Sequence, residues 1–140
     1  MDKIVPRGFR NNNPLNIRIG NSWLGEVENP TDKEFEQFQA MVFGLRAGFI
    51  LLRRYIRRYG LDTIRDIISR WAPASENHTA KYIEFVSQES GIGQLTKIHW
   101  EDKEILCKLV FAMVIYENGK QLTMWQIAKG YDMAAGVANL

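Results

Sequence analysis

Residues 108–121 read KLVFAMVIYENGKQ, and in them an acid follows directly on an unbroken apolar run. From Leu109 to Tyr116 all eight side chains are apolar or aromatic, and Glu117, Asn118 and Gly119 come next. A helix that is apolar on every side is enclosed on every side, so the run predicts a helix through the centre of the domain. Gly119 can adopt the left-handed conformation that ends a helix, with Asn118 its neighbour. Glu117 is then carried at the C-terminal end of a central helix, among apolar side chains. Two effects raise the proton affinity of a carboxylate there: partial loss of water and the negative end of the helix dipole. A carboxylic acid that keeps its proton near neutral pH can protonate a glycosidic oxygen as the bond breaks. The ordinary alternative is a solvated helix-end acid, and position alone does not separate the two.

Other groups could complete such a site. Asn11, Asn12, Asn13 and Asn16, in RGFRNNNPLNIR (7–18), can exchange hydrogen bonds with sugar hydroxyls and N-acetyl groups, or satisfy their own backbone in turns. Arg7 and Arg10 suit a substrate carboxylate or solvent. Trp23 offers an aromatic face for a sugar ring, or fills the core of a small lobe. In SENHT (75–79), Asn77 or Thr79 serves as a helix cap, which leaves Glu76 as the second acid of interest. Tyr82 follows one turn past His78 and faces either the cleft or the core. A hydrolase needs a second carboxylate across the bond from its acid, and Glu26, Glu28, Asp32, Glu34, Glu36 and Glu76 are all available for that. His78 and His99 stand apart, without HExxH or Cys/His spacing, so neither a metal nor a cofactor is expected.

These groups must be positioned by a single domain spanning 1–140, a length that buries a real core. The first forty residues are rich in Asn, Gly and Pro, with alternating pieces in LNIRI and EFEQF, and predict an irregular lobe with one or two short strands. Helical spacing starts near Val42, where Leu45, Phe49, Leu52, Ile56 and Tyr59 form an apolar stripe opposite Arg53, Arg54, Arg57 and Arg58. Gly60 ends that helix, and Asp62 or Thr63 caps the next, which stops at Trp71-Ala72-Pro73. A third helix runs to Gly91, the central one from about Trp100, and a last one opens at the Thr123/Gln126 capping box. The expected fold is α+β and mostly helical: about five helices around one core with a small β or irregular lobe at the N-terminus.

Composition bounds the rest. Hydrophobic residues make up 46% and charged residues 24%, ordinary for a globular chain, and 11% are aromatic with four Trp. The single cysteine, Cys107, lies in the apolar helical run, which excludes an internal disulfide and suits a buried inert thiol. No secretory signal opens the sequence, and no apolar run approaches the roughly 20 residues that span a bilayer. The expectation is a chain made in the cytoplasm without membrane insertion and carried elsewhere by other means.

Three segments together resemble a known family. They are RGFRNNNPLNIR (7–18) with Trp23-x-Gly25; GLRAGFILLRRY (44–55) with TIRDIISRWAPASENHTAKYI (63–83); and IYENG (115–119). In order and spacing they resemble phage-encoded, virion-associated proteins similar to lytic transglycosylases, which are often described only as phage structural proteins. The resemblance implies a lysozyme-like fold, permuted so that the acid-bearing helix comes late and its lobe opens the chain. It implies cleavage of peptidoglycan glycan strands between N-acetylmuramic acid and N-acetylglucosamine, by a monomer that works as an endolysin with holin-dependent release or rides in the virion. Glu117 is then the catalytic acid, with Asn11, Asn12, Asn13, Trp23, Glu76, Asn77 and Tyr82 around the substrate. Leu15 departs from the family pattern, which has glycine in NNNPGN. Two other readings stand beside this one. A silent virion component could keep the fold, and RRYIRRY (53–59) could bind nucleic acid. A net charge of +2 and an amphipathic origin for those arginines leave no nucleic-acid partner expected.

Overall fold

In this computed structural model the protein is described over residues 4–74 and 78–138. Among these residues there are six helices: α1 (Arg7–Arg10), α2 (Met41–Arg58), α3 (Ile64–Trp71), α4 (Thr79–Ser90), α5 (Lys103–Asn118) and α6 (Met124–Ala135). The five longer ones fall where apolar periodicity and capping residues place them. Thr63 accepts a hydrogen bond from the Asp66 N–H, Asp102 from Ile105, and Thr123 and Gln126 close a reciprocal capping box. Gly91 and Gly119 end α4 and α5 at φ 74° and 69°, a conformation that costs glycine little. The sixth, α1, is a single turn of RGFR that shows no periodicity in sequence.

The helix α5 organises the core. Leu106, Cys107, Leu109, Val110, Ala112, Met113 and Val114 are all buried, and α5 packs against both α4 and α6. Each such aliphatic side chain contributes roughly 1.5–3 kcal/mol by leaving water. Phe111, Ile115 and Tyr116 are half-buried, so the helix is enclosed over most of its surface and none of its apolar run is exposed. Cys107 is buried, and that burial pushes its thiol up to about 11. A long face of α2 runs along α6.

The N-terminal lobe corrects the expected β structure: among the described residues it contains no strand. Two isolated antiparallel bridges, Arg18 to Phe35 and Glu26 to Phe38, are what the LNIRI and EFEQF alternations produce. The reason is local. Asn13 is fully buried, and its amide donates to the carbonyls of Ile17 and Glu36 while accepting from the Ile17 N–H. One side chain thus takes backbone groups that a ladder would use. Asp32 fastens the other edge, pairing with both nitrogens of the Arg7 fork at 2.7 and 2.8 Å and accepting from the Glu34 and Phe35 amides.

The Leu15 departure has a structural explanation. The left-handed residues of this turn are Asn12 and Asn16, each at φ 52°, and Asn tolerates that conformation better than most residues. Leu15 itself needs no glycine. It is fully buried, with its Cδ1 over Gly48 of α2, where a Cβ would sit 2.5 Å away.

Candidate functional site

Three distant segments meet at Glu117. Both carboxylate oxygens accept one hydrogen bond: Oε1 from Asn16 Nδ2 at 2.9 Å, and Oε2 from the Tyr82 hydroxyl at 2.8 Å. Asn16 comes from the N-terminal turn and Tyr82 from α4. The next residue, Asn118, donates to the Pro14 carbonyl at 2.8 Å and to Val114 within its own helix, so the end of α5 is tied to the turn that carries Asn16. Trp71 supports the same turn by donating to the Leu15 carbonyl. Gly8 lets α1 approach: a Cβ there would meet Asn118 Oδ1 at 2.4 Å, the Asn13 carbonyl at 2.9 Å and Asn16 Oδ1 at 3.0 Å.

The electrostatics follow from this packing. Burial pushes the Glu117 carboxyl above its ordinary range, while the bonds from Asn16 and Tyr82 favour the charged form and oppose the rise. Burial prevails. Tyr82 is 1% exposed, and its ring stacks on Tyr116 with centroids 4.0 Å apart. Burial first, then the charge of Glu117, holds its phenol well above the usual value, so it stays a donor. Asn16 Oδ1 and Asn118 Oδ1 are buried without hydrogen-bond partners among the described residues. The result is a shielded acid held by two neutral donors, able to give up a proton and then be stabilised as an anion.

Of the residues expected around a substrate, Tyr82 is at the acid, but its hydroxyl goes to Glu117 itself. Asn11 and Asn13 are buried, and Asn12 is half-buried; all three use their amides inside the lobe, on Asp32, on Phe38, and on Ile17 and Glu36 respectively. These amides hold the turn from which Asn16 reaches Glu117, the turn-building alternative for this cluster. Trp23 takes the core position that stood as the alternative to a sugar platform. It is 8% exposed, lies beneath the Arg54 guanidinium at 5.5 Å, and lines a groove whose wall does not contain Glu117. Glu76 and Asn77 lie outside the described residues.

Several of the other candidate carboxylates are engaged elsewhere. Asp32 is held by Arg7 and Asn11, which keep it well below the usual carboxylate range, and Glu34 pairs with Arg7 and Arg18. Glu26 and Glu36 form a pair that the sequence did not suggest. Glu36 is buried, and that burial, with the neighbouring Glu26 carboxylate, raises it to about 7. Asn16 was one of four asparagines with nothing local to single it out, since its partner lies 101 residues away. Asn118 had one signal, its place beside the acid.

Comparison with known proteins returns a phage relative. Protein P5 of Pseudoalteromonas phage PM2 is 44% identical over 131 residues, covering 90% of this chain and 80% of that protein. The chain belongs to the family of this phage protein. No protein-family model matches the sequence. The match to Protein P5 spans most of the helical domain. No helix among the described residues is long and apolar enough to cross a membrane, and no group of three or more His, Cys, Asp or Glu among them could hold a metal ion.

Proposed function

We propose that this protein, like the lytic transglycosylases its sequence resembles, is a lysozyme-like muralytic enzyme with Glu117 as its acid and base. Its substrate is the peptidoglycan glycan strand, cut between N-acetylmuramic acid and N-acetylglucosamine. The observation that carries this reading is the Glu117 carboxyl at the end of α5, raised by burial yet held by the amide of Asn16 and the phenol of Tyr82. Such an acid protonates the glycosidic oxygen as the C1–O bond breaks. The carboxylate left behind, stabilised by those two donors, takes the proton of the muramyl 6-hydroxyl as that oxygen bonds to C1, giving a 1,6-anhydro end.

The transglycosylase form of the reaction is favoured over hydrolysis by four of the other carboxylates. Asp32 and Glu34 are committed to arginines, and Glu36 is buried against Glu26. A one-acid mechanism needs none of them. Delivery from inside the virion or through a holin lesion is equally compatible with this chemistry. The deciding experiment is digestion of purified peptidoglycan followed by mass analysis of the fragments. Products with 1,6-anhydro ends are expected; reducing ends would make the enzyme a hydrolase, and intact strands would overturn the reading.

A further inference from the structure

The arginines of α2 do more than face solvent. Arg46, Arg53, Arg54, Arg57 and Arg58 line one groove of about 510 Å³, with Trp23 in its wall and Val137 and Ala138 closing it. Arg53, 7% exposed, forms its buried base, donating to the carbonyls of Ala134 and Val137 at 3.2 and 3.0 Å and so capping the end of α6. Burial, then the positive charges of Arg57, Arg54 and Arg46, pushes its guanidinium down. Arg57 pairs with Glu101. Arg46 and Arg54 are half-buried and Arg58 is exposed, and no carboxylate pairs with any of the three among the described residues. Trp23 adds a buried indole N–H that also lacks a partner among them.

We propose that this groove is a receptor for phosphate groups, bound by Arg46, Arg54 and Arg58 above the Arg53 base. Arg46 and Arg54 are half-buried with no carboxylate partner among the described residues, and a cation so placed favours an anion beside it. The guanidinium fork matches phosphate oxygens two at a time, and three forks in one concavity suit a polyvalent phosphate better than a single carboxylate. Arg54 already covers a face of the Trp23 ring, so the ligand is recognised through phosphates rather than by stacked bases. The same chemistry is offered by a free oligophosphate or by the backbone of a nucleic-acid strand. The proposal is independent of Glu117.

Calorimetry at low ionic strength with inorganic tripolyphosphate tests it. The comparison is between the wild type, an Arg54→Gln/Arg58→Gln double variant, and a charge-matched Lys97→Gln/Lys108→Gln control at exposed positions. The wild type and the control should bind alike, the arginine variant about tenfold more weakly or worse, and the Trp23 indole N–H resonance should shift on binding. A short oligodeoxynucleotide that displaces tripolyphosphate identifies a strand as the source; binding of tripolyphosphate without such competition identifies a free phosphate compound. Absence of binding by both probes, equal weakening in the lysine control, or equally tight binding of citrate would overturn the proposal.

Discussion

The hydroxyl of Tyr82 lies 2.8 Å from Oε2 of Glu117, and its ring, stacked on Tyr116, is 1% exposed. The bond works against the burial of the acid: it favours the ionised form, while the surroundings favour the neutral one. Glu117 is therefore held between two opposing influences, which is the condition for an acid that must also serve as a base.

Tyr82→Phe removes that donor and keeps the ring that stacks on Tyr116. A hydrogen bond to a charged group contributes about 1.5–3 kcal/mol, so peptidoglycan cleavage should slow roughly ten- to a hundredfold in a folded protein. Losing the donor raises Glu117 further, and the alkaline limb of the kcat/KM profile should move to higher pH. An unchanged rate and profile would remove Tyr82 from the machinery.

The Glu26–Glu36 pair makes stability depend on pH. Glu36 is raised in the folded state from 4.5 to about 7, so its contribution is fully present below the ordinary carboxylate value. It is lost as pH rises through about 7. Thermal unfolding of the wild type should show a decline of roughly 1–3 kcal/mol between mildly acidic and mildly alkaline pH. In Glu36→Gln, with a neutral group of the same shape, most of that decline should vanish. A parallel decline in both proteins would assign it to other groups.

The readability of this chain divides by distance along it. The five longer helices were legible because their determinants are local: apolar spacing along α2, the cap Thr63, the Thr123/Gln126 box, and Gly91 and Gly119 at the ends. Glu117 was legible for the same reason, since the run that buries it adjoins it. The lobe was half legible. The segments 17–19 and 34–36 do pair, through Ile19 to Glu34 and Glu36 to Ile17, but the Asn13 amide competes for the same backbone groups, and nothing in NNNP reveals which asparagine turns inward. Asn16 and Tyr82 touch an acid 101 and 35 residues away, and no local pattern encodes a contact of that separation. The arginine over Trp23 likewise comes from a distant element, α2, which no local pattern around Trp23 announces.

Gly8→Ala tests the close approach of α1 to the acid. The new methyl would overlap Asn118 Oδ1 and press on the Asn13 carbonyl and Asn16 Oδ1. Overpacking of this kind costs about 1–3 kcal/mol. Because the atoms displaced belong to the end of α5 beside Glu117 and to the turn that supplies Asn16, cleavage should fall more than stability alone explains when measured well below the melting temperature. Gly91→Ala gives the comparison: it is strained by its positive φ at the end of α4 but meets no neighbouring atom there, so it should lower stability while leaving the rate per folded molecule intact.

Glu117→Gln separates the chemical role of the acid from its structural one. The amide keeps the size of the carboxyl but cannot deliver a proton, so cleavage should fall by roughly 10²–10⁴-fold or below detection. Its effect on stability has the opposite sign. The folded state raises the proton affinity of Glu117, so the acid contributes most below the ordinary carboxylate range and loses that contribution as pH climbs through its raised value. Glutamine carries no charge to desolvate, although it can accept from only one of the two donors. Relative to the wild type, the variant should therefore gain stability steadily as pH rises from acid to neutral. Circular dichroism melts across that range would show the two curves diverging. Curves that stay parallel would mean that Glu117 is solvated in the folded protein, and that an ordinary helix-end acid has been mistaken for a catalyst.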